Sequence, residues 1–184
     1  MRPPTIEDDE LLDRLLAVFR QHGYEGSSLS LISVATGLKR ASLYHRFPGG
    51  KEQIAEAVLQ RVATLFEQHV LAPVQEDGPV AERARGLARG LDRFYQQGSA
   101  SCVFDTLSLG TGPFKDTIKK AFDSWLDAFG SLALDAGFAK AEARRRGEEA
   151  LVRLQGVLVI ARATGNRRPF RDFLKGLPSL LTQA

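Results

Sequence analysis

Apolar residues recur along this chain with the period of an α-helix, and the first such stripe lies near its start. Leucine and phenylalanine from Leu11 to Phe19 recur four residues apart on one side of a helix, and Gly23 is expected to end this helix. The same period continues through most of the 184 residues, and no stretch alternates apolar and polar residues as a strand does. The pattern predicts an all-α fold of about nine helices.

Two short helices are predicted directly after the first one. Ser28 is a good N-cap for a segment over residues 29–36, and a second short segment covers residues 40–47. Gly37 lies between them, and glycine readily adopts the positive φ that a sharp turn between helices requires. Two such helices docked on a preceding helix describe a helix-turn-helix unit.

The predicted helices become longer after the break at residues 48–50, which are Pro-Gly-Gly. The stripe that begins at Ile54 is expected to end before Pro73, and further helical stripes follow to the end of the chain. We therefore predict a helix-turn-helix domain over residues 1–51 and a larger helical bundle over residues 52–184.

Composition adds few constraints beyond this. The chain is 43% hydrophobic and 26% charged, which is ordinary for a globular protein. A run of about 18 apolar residues, as a membrane span needs, is absent. The single Cys102 cannot form an internal disulfide. We expect a cytoplasmic protein that needs no cofactor and no metal.

The charge is small but unevenly distributed. The formal net charge is +3, yet residues 38–51 contain four basic side chains (Lys39, Arg40, Arg46 and Lys51) and no acid. A cluster of this kind is often only a solvated face. Here, however, it covers the second helix of the predicted helix-turn-helix, which such units place in the major groove of DNA. Its position in the chain therefore favours DNA binding.

Residue chemistry at this helix suggests which side chains meet the duplex. Lys39, Arg40 and Ser42 lie at its N-terminal end, where lysine or arginine can donate to guanine O6 and N7. We expect further contacts to DNA from the remaining polar residues, which are Ser28, Tyr44, His45 and Lys51. The alternative is structural: Tyr44 and His45 would support packing, and Lys51 would stabilise a solvated helix start. A cation at a helix start opposes the helix dipole, and a nearby phosphate would explain it.

At this point a resemblance to a known family is clear. Four segments resemble the N-terminal domain of TetR-family regulators, namely residues 23–29, 35–38, 42–47 and 51–52. The sequence Phe-Pro-Gly-Gly-Lys-Glu-Gln over residues 47–53 is similar to the LmrA/YxaF-like subgroup. The resemblance implies a homodimeric transcriptional regulator, usually a repressor, which binds an operator in double-stranded DNA and whose larger domain binds a small inducer. It also implies a core of Ile32, Ala35, Leu43 and Phe47, and phosphate contacts from Ser28, Tyr44 and Lys51.

The family uses the bundle to line an inducer cavity, so its aromatic stripe supplies the ligand candidates. Pockets are mostly apolar with a few polar anchors. We expect an aromatic or drug-like inducer to contact Phe66, Phe94, Tyr95, Cys102, Phe104, Asp105, Phe122, Trp125 and Phe129. Aromatic residues at helical spacing are more often simply core, and the sequence leaves that alternative open.

The last two predicted helices are expected to build the dimer. Small residues there permit close approach, and an interface of this kind would present the same patch on each subunit. The expected interface residues are Leu151, Leu154, Leu158, Phe170 and Leu174. The alternative is that these side chains close the core of the single chain.

Two other classes of function compete with this interpretation. An enzyme is disfavoured because the chain has no intact GxGxxG, phosphate loop, HExxH or GxSxG motif. A DNA-binding regulator without a small-molecule inducer, controlled by a protein partner, stays open. Whether the aromatic residues of the bundle enclose space or fill it would discriminate between a regulator with an inducer and one without.

Overall fold

The computed structural model describes residues 6–183, and within them every regular element is a helix. In chain order these are α1 (Asp8–Gly26), α2 (Leu29–Thr36), α3 (Arg40–Arg46), α4 (Gly50–Phe66), α5 (Ala72–Gln75), α6 (Val80–Phe94), α7 (Val103–Ser108), α8 (Lys115–Asp135), α9 (Lys140–Thr164) and α10 (Arg168–Thr182). A π-helical turn, Glu67–Leu71, joins α4 to α5 without a break. Counted as continuous runs, with a short 3-10 turn at Gln96–Gly98 left aside, the described residues form nine helices, which confirms the all-α prediction.

The helical run through Pro73 differs from the expectation that it would end before this residue. Proline has no N–H to donate, and its ring crowds the carbonyl four residues earlier. The π turn accommodates this change, since the Ala72 N–H donates to Glu67 O, five residues back. The carbonyl oxygen of His69 lies against Gly90 of α6, where a Cβ would come within 2.6 Å of it. The helical run therefore continues to Gln75 through a π-helical turn, and Gly90 leaves room for the His69 carbonyl.

The described chain packs as two compact units. The N-terminal unit comprises residues 6–62 and 103–118, and the C-terminal unit comprises residues 63–102 and 119–183. The division between the units falls within α4, and a later segment containing α7 belongs to the first unit. The domain boundary expected at residues 51 and 52 stays a prediction. Sequence periodicity marks where helices begin and end but not which of them pack together. The placement of α7 in the N-terminal unit therefore could not be predicted from the sequence.

The N-terminal unit is built on the predicted stripe of α1. Leu11, Leu15 and Phe19 are buried, and α7 packs against the same helix. Gly23 has φ +66°, so the first helix is kinked at the expected residue and then continues for three residues to Gly26. A left-handed conformation of this kind suits glycine because it has no Cβ.

The core implied for α2 and α3 is confirmed only in part. Ile32 and Leu43 are buried as implied. Ala35 and Phe47 are only half-buried, which corrects the expectation for them. Thr36 is buried instead, and its hydroxyl donates to Ile32 O at 2.8 Å, so its polar atom is satisfied within the helix.

The C-terminal unit holds α10 against both α6 and α9. Arg146 of α9 fastens this arrangement, since its Nη1 donates to Leu180 O and Gln183 O, each at 2.7 Å, at the end of α10. The guanidinium also lies 3.8 Å from the centre of the Phe138 ring. A cation at a helix C-terminus satisfies carbonyls that have no partner within the helix.

Candidate nucleic-acid interface

The turn between α2 and α3 has the geometry that a helix-turn-helix needs. Ser28 caps α2, because its Oγ accepts from the Leu31 N–H at 3.1 Å. Gly37 has φ +72° and ends the helix, with its N–H donating to Ser33 O. The Ser33 hydroxyl donates to Leu38 O at 2.5 Å and so fixes the chain that leads into α3. Both the predicted cap and the predicted glycine turn are therefore confirmed.

Helix α1 holds α2 and α4, and the residues at its N-terminus hold α3 in place. Arg14 donates to Thr36 O at the end of α2, at 3.3 Å. Arg46, the last residue of α3, pairs with Asp8 at 3.0 Å and donates to Ile6 O at the same distance. Asp9 pairs with Arg61 of α4, also at 3.0 Å. Acidic residues in the first turn of α1 interact favourably with the helix dipole. Asp8 also orients α3 through its ion pair with Arg46.

Helix α3 presents a polar outer face to solvent. Leu43 is its one fully buried residue, and Ser42, Tyr44 and His45 are exposed around it, with half of the Tyr44 side chain accessible. Lys39 and Arg40 are exposed at the beginning of the helix. Five of the seven predicted DNA-binding residues therefore lie together on α3 and its N-cap, and Ser28 is exposed at the beginning of α2. We define these five residues, Lys39, Arg40, Ser42, Tyr44 and His45, as the outer face of α3.

Lys51 is placed differently from the other six. It is half-buried, and its Nζ donates to Tyr24 O at 3.0 Å while lying 4.1 Å from the centre of the Tyr24 ring. The ammonium thus binds a carbonyl in the last turn of α1, which accounts for a cation at the start of α4 without any phosphate. Burial, together with Glu52 and Glu25, raises the pKa of Tyr24 above its usual value. Contact between Lys51 and phosphate stays a prediction.

The basic cluster of residues 38–51 is therefore divided by the fold. Arg46 and Lys51 are engaged with α1 and the residues before it, and Lys39 and Arg40 are exposed. The guanidinium of Arg40 donates from Nη2 to the hydroxyl of Ser30 on α2. Sequence reasoning missed Ser30, because the hydrogen bond joins two helices whose contact the helical period does not reveal.

Several of the predicted ligand residues form an aromatic cluster in the C-terminal unit, which we define as Phe66, Phe94, Tyr95, Phe122 and Trp125. The Phe66 and Trp125 rings stack with their centres 3.8 Å apart and their planes 17° from parallel. Phe94 meets Phe66 edge-on at 5.1 Å, and Phe122 meets Trp125 edge-on at 5.3 Å. Tyr95 is fully buried beside Phe94, with ring centres 5.2 Å apart. The rings are in contact with one another, as side chains in a packed core are.

The other predicted ligand residues are distributed between the two units. Cys102 and Phe129 are buried in the C-terminal unit. Phe104 is buried in the N-terminal unit and Asp105 is half-buried there, since both belong to α7. Seven of the nine residues therefore lie in the C-terminal unit and two in the N-terminal unit, and a ligand site shared by them stays a prediction.

The C-terminal unit has a groove that lies apart from the aromatic cluster. It has a volume of about 490 Å³ between α8 and α9 and is lined by charged, small and aliphatic residues, including Asp127, Leu134, Lys140 and Arg144. None of the five rings of the aromatic cluster lines it. Its mixture of acids and bases is typical of a solvated surface cleft.

Four of the five predicted dimer residues face inwards. Leu151, Leu154, Leu158 and Phe170 are buried within the single chain, and Leu174 is half-buried. The four buried residues pack in the core of the C-terminal unit and offer little surface to a partner chain, which corrects the expectation for them, whereas Leu174 stays a prediction. Other residues of α9 face solvent instead, and we define the α9 stripe as Val152, Gly156, Val159 and Ile160, of which Val152 is 71% exposed.

Neither a metal site nor a membrane span is found in the described part of the chain. Residues 6–183 contain no group of three or more His, Cys, Asp or Glu side chains that could hold a metal ion. Over the same residues, no helix combines the length and apolar character needed to cross a membrane.

Comparison with known proteins connects this geometry to a family. Residues 11–58 match the model of bacterial regulatory proteins of the tetR family, and residues 79–175 match that of the LmrA/YxaF-like transcriptional regulator C-terminal domain. The HTH-type transcriptional regulator LmrA of Bacillus subtilis is 22% identical over 186 residues, covering 94% of this chain and 95% of that protein.

Solved structures give the same result for the fold. A TetR transcriptional regulator from Legionella pneumophila superposes with a TM-score of 0.84 at 17% identity, covering 98% of this chain and 100% of that one. AibR, solved in complex with isovaleryl coenzyme A and operator DNA, superposes with a TM-score of 0.72 at 20% identity, over 95% of this chain and 97% of that one.

Proposed function

The chain belongs to the TetR family of DNA-binding transcriptional regulators, in its LmrA/YxaF-like subgroup, and from this premise we propose that it is a ligand-released repressor. It binds a near-palindromic operator as a homodimer and leaves the DNA when a small aromatic or drug-like molecule binds its C-terminal unit. The observation that carries the proposal is the outer face of α3, where exposed polar and basic side chains surround a buried Leu43.

Recognition of DNA follows from that face. A helix-turn-helix inserts its second helix into the major groove, where an arginine or lysine can donate two hydrogen bonds to guanine. Lys39, Arg40 and Ser42 are proposed to meet base edges, while Ser28, Tyr44 and His45 bind the backbone or neighbouring bases. Ser28 supports a phosphate contact because it lies at a helix N-terminus, whose free N–H groups favour anions.

Dimerisation is proposed to use the α9 stripe and not the buried leucines. The stripe contains no charged side chain, so it can face its own copy across a two-fold axis without repulsion between like charges. Gly156 has no heavy atom within 4 Å of the place where a Cβ would lie, so a partner helix can approach closely there. Two recognition helices then meet half-sites about one DNA turn, roughly 34–36 Å, apart.

Release by a ligand is proposed to act through the aromatic cluster. A flat aromatic molecule can replace ring-to-ring contacts within it, for example by separating Phe66 from Trp125. A ligand lowers DNA affinity by its differential affinity for the two conformations, and allosteric coupling of this kind is typically 5- to 150-fold. AibR, whose solved complex contains isovaleryl coenzyme A and operator DNA, is in keeping with a ligand-responsive regulator in this fold.

The 3.8 Å stacking of Phe66 on Trp125 also favours a second candidate, a DNA-binding regulator with no small-molecule inducer. In that case the cluster is core, and a protein partner controls the DNA-binding state. The chain offers a direct way to choose, because Trp125 is its single tryptophan and its fluorescence therefore reports on the cluster alone.

The test has two stages. Purified protein first selects binding sites from random duplex DNA, and the affinity of the enriched sequence is followed against salt concentration. A near-palindromic site with a steep salt dependence is expected. Failure to enrich any sequence contradicts the DNA-binding proposal.

The second stage adds aromatic compounds to the protein–operator complex. A compound that changes the Trp125 fluorescence and releases the operator over the same concentration range supports the ligand-released repressor. Compounds that change neither signal across a broad library favour the regulator without an inducer. Release with no change in fluorescence contradicts the placement of the ligand at the aromatic cluster.

A further inference from the structure

From the contact between α2 and α3 we infer that Ser30 is a positioning residue for base reading by Arg40, an inference that rests on the proposed DNA-binding function. Ser30 and Arg40 are ten residues apart and both are exposed. The Arg40 guanidinium donates from Nη2 to the Ser30 hydroxyl, so the side chain is held against α2. An exposed arginine without such a partner would sample many rotamers.

The hydrogen bond leaves the guanidinium able to read a base. Arginine has five N–H donors in a planar fork, and one donor is used by Ser30. The remaining donors on Nη1, Nη2 and Nε still include a pair with the spacing of guanine O6 and N7. The plane of the fork is thereby fixed before DNA arrives, and a pre-organised side chain loses less conformational freedom on binding.

The surrounding residues show why Ser30 can act in this way without a structural cost. Ser30 lies on the solvent-facing side of α2, one turn before Val34, which is 81% exposed. Other residues support α2: Ser28 caps its N-terminus, Ser33 and Thr36 make hydrogen bonds near its C-terminus, and Ile32 and Thr36 are its buried residues. Removal of the Ser30 hydroxyl therefore alters the freedom of Arg40 while the helix keeps its own support.

The experiment is a double-mutant cycle on operator discrimination. Ser30→Ala, Arg40→Ala and the double variant are compared with the parent chain on the selected operator and on operators changed at one base pair. Ser30→Ala is expected to lower discrimination at the base pair read by Arg40 by about 2- to 12-fold, the equivalent of freeing one side chain. In the Arg40→Ala background the same change is expected to have no further effect, because Ser30 acts through Arg40.

Three controls distinguish positioning from a structural role. Ser30→Thr keeps the hydroxyl and should restore discrimination, and Val34→Ala alters the same face of α2 without touching Arg40 and should leave it unchanged. Affinity for random DNA and its salt dependence should be the same in the parent and in Ser30→Ala. An equal loss from Ser30→Ala with and without Arg40 overturns the inference.

A measurement without DNA separates this inference from the proposed function. NMR relaxation of the Arg40 Nε–H group should report an ordered side chain in the parent and a mobile one in Ser30→Ala, with Arg171, which is exposed on α10 outside the α9 stripe, as the reference. If Arg40 is no more ordered than Arg171 in the parent, positioning by Ser30 is contradicted whatever the DNA does. If Arg40 is ordered but the parent selects no sequence, the proposed function fails, and base reading by Arg40 fails with it.

Discussion

The outer face of α3 and the aromatic cluster are both groups of candidate residues, but the fold treats them in opposite ways. On α3, polar side chains remain exposed, while Arg46 at the end of the helix pairs with Asp8 of α1 and holds the helix in place. In the cluster, the rings contact one another, and Phe66 and Trp125 stack at 3.8 Å. The first arrangement is ready to meet a rigid partner such as DNA, whereas the second must rearrange before it can admit a ligand.

The largest effect on stability should come from a substitution that disrupts the aromatic cluster. Trp125→Ala removes a ring that is 2% exposed and stacked on Phe66, and the cavity left behind should cost about 3–5 kcal/mol of stability. Tyr44→Ala on the outer face of α3 should change stability by no more than about 0.5 kcal/mol. Denaturant unfolding of both variants checks the contrast. A loss below about 1 kcal/mol for Trp125→Ala would contradict close packing of the cluster.

Disruption of the proposed dimer should come next. The double variant Val152→Glu and Val159→Glu places like charges in the α9 stripe, which would face each other across a two-fold axis. We expect a monomer by light scattering and a loss of operator affinity of more than tenfold, because one recognition helix then binds alone. The control is Leu109→Glu, which adds a charge at another exposed apolar residue, 77% accessible, outside the stripe. Dimers that persist in the double variant would place the interface elsewhere.

The helix-turn-helix was predictable from the sequence because local residues determine it. The cap at Ser28, the left-handed Gly37 and the apolar position at Leu43 act within about fifteen residues, and each is observed where expected. The number of helices follows equally from local periodicity and from breaks such as Gly37, which ends α2.

The proposed dimer face and the positions of the candidate ligand residues could not be predicted from local sequence in the same way. Apolar residues of a long helix such as α9 mark both its buried side and any exposed apolar side, and only packing tells Leu154 from Val152. Likewise, the assignment of Phe104 to the N-terminal unit depends on α7 packing against α1, a contact between residues far apart in the chain.

A variant of Lys51 tests whether a residue that joins α1 to α4 also binds DNA phosphate. If it binds phosphate as well as Tyr24 O, Lys51→Ala should weaken binding to operator and to random DNA equally and reduce the salt slope by about one. Loss of its hydrogen bond should also lower the melting temperature slightly. A lower melting temperature with an unchanged salt slope would limit Lys51 to its role as a tie between α1 and α4.

Stability is expected to depend on pH through Glu142, which binds Arg146, the residue of α9 that donates to carbonyls at the end of α10. Hydrogen bonds from Arg145 and Arg146 lower the pKa of Glu142 from 4.5 to about 2. The folded state therefore favours the carboxylate, and its contribution to stability is complete above pH 4.5 and is lost as the pH falls towards 2. Melting temperatures of the parent and Glu142→Gln should differ at about pH 6 and converge near about pH 2. Glu76→Gln, at an exposed carboxylate in the loop before α6, is the matched control for the removal of one carboxylate.

The smallest effect should be a change in the pKa of Glu25, which lies in the last turn of α1. Its carboxylate accepts from the Thr111 N–H at 2.8 Å and from the Thr111 hydroxyl at 2.6 Å, and these hydrogen bonds lower its pKa. Thr111→Val removes the hydroxyl, the larger of the two causes, and leaves the backbone donor. The pKa of Glu25, followed by NMR of its carboxyl carbon, should therefore rise towards its usual value but stay below it. An unchanged pKa would show that Glu25 and Thr111 are not joined in solution, and that the loop before α8 is not fastened to the last turn of α1 through this pair.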